Sequence, residues 1–250
     1  MLQDLPHPII FAHRGASAHA PENTLASFDL ALAQGADAIE LDAKLSADGR
    51  VVVFHDMLVD RTTNGHGRLE DKTLAELRAL DAGSFFSEKY RGEKIPTLEE
   101  VFETVGKRTF INVELTNYST PRDNLVDSVC ALVKQFELQQ RVLFSSFAIA
   151  NLSKARLLLP DVPRGLLADR GMMGWWKRSF GFAFGDYHAL HPCAYDVTPQ
   201  QVARVHRLKR RVHVWTVNAA KDMQVLFNWN VDGIFTDDPQ LALQVLGRLT

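Results

Sequence analysis

The chain has 250 residues, 46% of them hydrophobic and 23% charged, so it can bury a large core and is not a disordered polymer. Its 28 basic and 30 acidic side chains leave a formal charge of -2, which argues against a dedicated nucleic-acid binder. Two cysteines, Cys130 and Cys193, exclude a disulfide framework, and no Cys-x-x-Cys pair points to zinc or redox chemistry. No apolar run approaches the ~18 residues of a membrane span, and no leader pattern precedes the first apolar run, so a soluble, cytoplasmic protein is expected.

In chain order, short β-rich runs occur at 9–13, 38–42, 110–115, 142–146, 164–168, 189–191, 212–217 and 233–236. Helical patterns lie between them, near 24–34, 98–106, 124–137, 149–158, 174–184, 199–209 and 220–229, with a last one near 240–248. About eight βα units predict an α/β fold of one domain over 1–250, a closed parallel (β/α)8 TIM barrel. The rival, an open doubly wound sheet, lacks a Gly-x-Gly-x-x-Gly after the first strand. Thr97-Leu98-Glu99-Glu100 and Thr198-Pro199-Gln200-Gln201 fit capping boxes, and Asp238-Pro239 opens the last helix. The irregular stretch after the second strand, roughly 57–96, is read as a small insertion, with Thr73-Leu74-Ala75-Glu76 capping a short helix inside it.

Active groups in such a barrel sit at the C-terminal ends of strands. The first strand ends in His13-Arg14-Gly15 and the second in Glu40-Leu41-Asp42, whose two carboxylates share a face by strand alternation. Like charges so close are unfavourable unless a cation lies between them. The strand at 110–115 offers Glu114 as a third carboxylate, and oxygen ligands favour Mg²⁺, Ca²⁺ or Mn²⁺. Asp48-Gly49 reads as a two-residue hairpin turn, a register that would place His55 opposite Asp42. Two histidines suit proton transfer, and Arg14 suits a phosphate oxygen, so the set reads as phosphodiester cleavage.

These residues, with Pro21-Glu22-Asn23-Thr24, His55-Asp56, Asp60-Arg61-Thr62-Thr63, Ile95-Pro96-Thr97-Leu98, Ser146-Phe147, Trp215-Thr216-Val217-Asn218 and Thr236-Asp237-Asp238-Pro239, resemble the glycerophosphodiester phosphodiesterase family in order and over nearly the whole chain. The resemblance implies a barrel with an insertion after the second strand and cleavage of glycerophosphodiesters to glycerol phosphate and an alcohol. It implies catalytic His13 and His55, one divalent cation on Glu40, Asp42 and Glu114, and phosphate contact by Arg14. By analogy His13 is the base and His55 the acid. The family usually has lysine where this chain has Thr116. Lys44 continues the Glu40 and Asp42 face and is the candidate substitute, and a lysine at 116 is expected to be tolerated.

Plainer readings stand beside these. The carboxylates can be an ion-pair network with Arg14 and Lys44, Trp215 either a core aromatic or a wall for the alcohol, and Pro21–Thr24 a loop and helix start. Asp60–Thr63 is expected to hold the insertion together and Cys130 to pack in the core; His191 ends a strand before Pro192, with contact to substrate the lesser of its readings. Rival functions are a lysophospholipase D, a non-catalytic phosphodiester-binding barrel and a glycosidase. The substrate is expected to be a small phosphodiester, and oligomeric state is left open. The aromatic segment 171–184 is either a distorted outer helix or a lip for lysolipid or a membrane surface, with Lys177 and Arg178 facing head groups.

Overall fold

A computed structural model describes residues 5–249. Its strands and helices run β1 (Ile9–His13), α1 (Leu25–Ala33), β2 (Ala38–Leu45), β3 (Val51–Val53), α2 (Leu74–Ala79), α3 (Leu98–Val105), β4 (Phe110–Leu115), α4 (Leu125–Gln135), β5 (Val142–Ser146), α5 (Ile149–Leu158) and β6 (Arg164–Ala168). They continue with α6 (Gly171–Trp176), α7 (Phe182–Phe184), β7 (Ala189–Pro192), α8 (Pro199–Arg207), β8 (Arg211–Val214), α9 (Ala220–Asn228), β9 (Gly233–Thr236) and α10 (Pro239–Val245). Eight strands pair in parallel in the order β1-β9-β8-β7-β6-β5-β4-β2, and β1 pairs with β2 to close the barrel. β3 is antiparallel to β2 and starts the insertion, whose own small core holds Val52, Phe54, Val59, Leu69, Leu77 and Ile95.

Strand alternation divides the apolar residues into two layers. Ile10 and Ala12 of β1, Ile39 and Leu41 of β2, and Ile111 and Val113 of β4 join the large core beneath the helices. Ile9, Phe11, Ala38, Phe110, Leu143 and Phe235 fill the barrel itself. The same period carries His13, Glu40, Asp42, Asn112 and Glu114 inward above that plug, so the barrel is apolar below and charged at its C-terminal mouth.

Two buried histidines lie between these zones. His191 Nε2 and His213 Nδ1 are 3.1 Å apart. Burial pushes His191 down to about 3 and His213 well below the usual imidazole range, so both are neutral at pH 7. Gly165 makes this possible, since a Cβ there would lie 2.3 Å from His191 Nε2.

The helix starts follow their cap chemistry. Thr73 and Thr97 form full capping boxes with Glu76 and Glu100, whereas Thr198 caps through the Gln201 N–H alone. Three local expectations are corrected. The run at 212–217 leaves the sheet after Val214, where Trp215 keeps only a bridge to Cys193. The helix expected at 174–184 is two short helices joined by a π-turn at Lys177–Gly181. Within it Lys177 Nζ donates to the Phe147 carbonyl at 2.9 Å, and Arg178 pairs with Asp196 at 3.0 Å, so neither cation is free to face a lipid. Both cysteines are unpaired and buried.

Candidate active site

Parallel register builds the acidic centre. His13 lies beside Glu40 across β1 and β2, and Asp42 lies beside Glu114 across β2 and β4. The three carboxylates offer oxygens within 4.8 Å of one another, a donor set that could hold a metal ion. Burial, then the Asp42 charge, then Glu114, push Glu40 well above the carboxylate range. Burial and the Asp42 charge push Glu114 up to about 8. Burial would raise Asp42 too, but Arg14 and then His55 hold it below its ordinary value. Three groups that cannot all ionise unaided are what a hard divalent cation would relieve, so the site fits one.

Each histidine at the mouth is anchored through Nδ1 to a carboxylate. His13 Nδ1 is 2.7 Å from Asp237 Oδ1, and His55 Nδ1 is 2.6 Å from Asp56 Oδ1. A carboxylate acceptor places the proton on Nδ1 and leaves Nε2 for chemistry. Asp237 is itself held by Ser17 and Asn218. His55 does not arrive by the expected register. Ala43 pairs with Val53, and the Phe54 N–H donates to the Asp42 carbonyl, so Phe54 lies opposite Asp42. The reason is a three-residue loop at 47–49. The Ser46 N–H donates to the Arg50 carbonyl, the Ser46 hydroxyl accepts from the Arg50 N–H, the Ser46 carbonyl accepts from the Gly49 N–H, and Gly49 supplies φ +75°. His55 nevertheless borders the same pocket as His13, Arg14, Glu40, Glu114 and Trp215.

Arg14 follows β1 in left-handed backbone (φ +57°), as does Gly15 (φ +84°), where a Cβ would fall 2.3 Å from Ser27 Oγ. This bend brings the Arg14 N–H onto Glu40 at 3.0 Å and its Nε to 3.4 Å from Asp42. Arg14 Nη1 also donates to Glu22 at 2.9 Å. Glu22 takes a second guanidinium, from Arg61 of the insertion, at 2.7 and 2.8 Å. Arg61 Nε reaches Asp56 at 2.6 Å. Burial would raise Asp56, but the bonds from Arg61 and His55 pull it down to about 2. Arg61 therefore ties the carboxylate behind His55 to the one behind Arg14.

Sequence reasoning did not find four of these contacts. Glu22 and Asn23 are more than loop residues, because Glu22 holds Arg14 and Asn23 Nδ2 donates to Asp42 at 2.9 Å. Arg61 serves the site as well as the insertion, and the Tyr118 hydroxyl donates to Glu114 at 2.9 Å. Glu22, Asn23 and Arg61 sit in motifs already noticed, whereas Tyr118 carries no local signal. His191 and Trp215 border the pocket, with Trp215 Nε1 donating to the His191 carbonyl at 2.7 Å.

Thr116 is buried, with its hydroxyl donated to the Ala43 carbonyl at 2.7 Å. Lys44 Nζ donates to the Thr116 carbonyl at 3.1 Å, so a β2 cation reaches the end of β4. Burial lowers Lys44 from the usual ammonium range, against the opposing charges of Asp42 and Glu114. Lys44 thus already places a cation at the end of β4, where Thr116 borders an open cavity.

The family model described as "Glycerophosphoryl diester phosphodiesterase family" matches residues 13–241. A glycerophosphodiester phosphodiesterase of Caldanaerobacter subterraneus subsp. tengcongensis is 38% identical over 96% of this chain and 98% of its own. One from Bacillus altitudinis is 36% identical over 94% and 97%. The solved structure of an Oleispira antarctica phosphodiesterase, in complex with the product sn-glycerol-3-phosphate, superposes with TM-score 0.89 at 34% identity, covering 96% of this chain and 97% of that one. The chain belongs to the glycerophosphoryl diester phosphodiesterase family and is an enzyme of that class.

Arg61→Ala should lower diester turnover by roughly 10–100-fold, the usual cost of losing a group that orients catalytic side chains. Arg61→Lys should stay low, because one ammonium cannot span Glu22 and Asp56. Turnover of both variants, with thermal unfolding on the same samples to show an intact fold, checks this.

Proposed function

We propose that this enzyme hydrolyses glycerophosphodiesters to glycerol phosphate and an alcohol, using one divalent cation, Arg14, His13 and His55. The observation that carries the reading is a clustered carboxylate trio, of which Glu40 and Glu114 line one pocket with two carboxylate-anchored histidines and an arginine. Glu40, Asp42 and Glu114 would hold Mg²⁺ or Ca²⁺, with Mn²⁺ as a further fit to an oxygen donor set. When bound, the cation supplies positive charge against the nonbridging phosphate oxygens.

The chain's own groups do the rest. The Arg14 guanidinium binds a phosphate oxygen, oriented by Glu22 and Asp42. His13 takes the proton of the attacking oxygen at Nε2, and Asp237 stabilises the imidazolium that forms. His55, protonated, gives its proton to the leaving oxygen as the P–O bond breaks, with Asp56 holding the ring. Trp215 forms an apolar wall of the pocket.

A second reading, lysophospholipid as substrate taken from an aggregate surface, is favoured by one observation. Met172, Trp175, Trp176, Phe180 and Phe184 of the segment 171–184 are all exposed, and the chain's Lys177 links that segment to Phe147 at the pocket. Among the described residues no helix is long and apolar enough to cross a membrane, so contact would be peripheral.

Three measurements test these proposals. Chelation should abolish cleavage of glycerophosphocholine, and Mg²⁺ or Ca²⁺ should restore it; full activity in excess chelator would rule the cation out. His13→Ala and His55→Ala should each lower turnover by roughly 10²–10⁴ without unfolding the chain, and retention of half the activity in either would remove its role. Replacing Trp175 and Trp176 together by alanine should reduce lysophosphatidylcholine turnover while sparing glycerophosphocholine; equal loss on both would leave the segment a packing element.

A further inference from the structure

The catalytic pocket, about 110 Å³, shares lining residues with a second cavity of about 610 Å³. His55, Glu114 and Phe147 border both, whereas His13 and Arg14 border only the inner one. The inner pocket is the smaller of the two spaces, so the bulkier side of a scissile bond held at His13 and Arg14 has more room in the outer cavity.

The two spaces differ in chemistry. Asn112, Ser145 and His191 line the inner pocket, and Asn112 Oδ1 and His191 Nδ1 are buried without hydrogen-bond partners. Unpaired polar atoms of this kind match the hydroxyls of a glycerol moiety. The outer cavity is walled by Met57 and Leu58 of the insertion and by Tyr118 and Phe147. Met57 and Leu58 are 51% and 46% exposed, although the insertion has its own core only one residue away at Val59. Edge-to-face contacts run from Trp215 to Phe147 (5.5 Å) and on to Tyr118 (5.8 Å), an apolar track leading outward from the phosphate site. Lys44, Asp56 and Glu114 also border the cavity, so charges of both signs stand beside its apolar wall.

We propose that the outer cavity is the subsite for the leaving alcohol, and that Met57 and Leu58 make the enzyme favour diesters whose alcohol carries an apolar chain. The assignment rests on the phosphodiesterase reading above and deepens it. It also gives His55 its place, since that imidazole stands where the inner pocket meets the leaving-group side.

A series of glycerophospho-n-alkanols from ethanol to octanol, kept below micelle-forming concentrations, tests this. In the wild-type enzyme kcat/KM should rise about twofold per added methylene, against the roughly fourfold of complete burial. Met57→Ser combined with Leu58→Ser should flatten the series while leaving turnover of the ethanol ester and the thermal midpoint unchanged. A flat wild-type series with the ethanol ester cleaved would overturn the subsite alone. So would a double variant that loses ethanol-ester turnover in proportion to the octanol ester. Failure to cleave any member would overturn the phosphodiesterase reading and the subsite together.

Discussion

The burial of three carboxylates on two adjacent strands is the constraint around which this barrel mouth is arranged. Glu40 and Asp42 are buried and Glu114 half-buried at the barrel mouth, where like charges so close to one another repel. Groups of the chain offset only part of that cost. Arg14 faces Asp42 and Glu40, Asn23 donates to Asp42, Tyr118 donates to Glu114, and Lys44 stands close by. Glu40 and Glu114 remain displaced toward the protonated form, and the unmatched charge is what a divalent cation would answer.

Around that centre, loops after the strands supply many of the partners that hold the mouth's side chains in place. Asp237, just past β9, holds His13 at the end of β1, and Asn218, after β8, holds Asp237. The insertion supplies His55, Asp56 and Arg61 together, and Arg61 fastens Asp56 to Glu22 in the loop after the neighbouring strand β1. This explains why so irregular a stretch is tightly bonded. Its task is to return one imidazole to the barrel and keep it there, and Met57 and Leu58 stand beside that imidazole as a consequence of the same path.

Local patterns fared best where one element decides the outcome. The capping boxes at Thr73 and Thr97 formed because both partners lie within one turn. They fared worst where a turn or distant contact decides. The Asp48-Gly49 hairpin slipped by one residue because the Ser46 hydroxyl and the left-handed Gly49 favour a three-residue loop over a two-residue one. The 171–184 helix broke at a π-turn, and its two cations turned inward to Phe147 and Asp196, neither of which adjoins them in sequence.

By itself the sequence determined the barrel and the inward set of His13, Glu40, Asp42 and Glu114, because a period of two along short apolar strands leaves each side chain only two faces to choose from. Tertiary structure alone decided that His55 lies beside those groups despite the slipped register, that Lys44 stands at Thr116, and that Tyr118, Arg61 and Asn23 complete the set. Those contacts join residues whose separation along the chain carries no periodic signal. Apart from Tyr118, which folds back on Glu114 four residues earlier, they exist because the barrel brings the ends of neighbouring strands and their loops within hydrogen-bond distance.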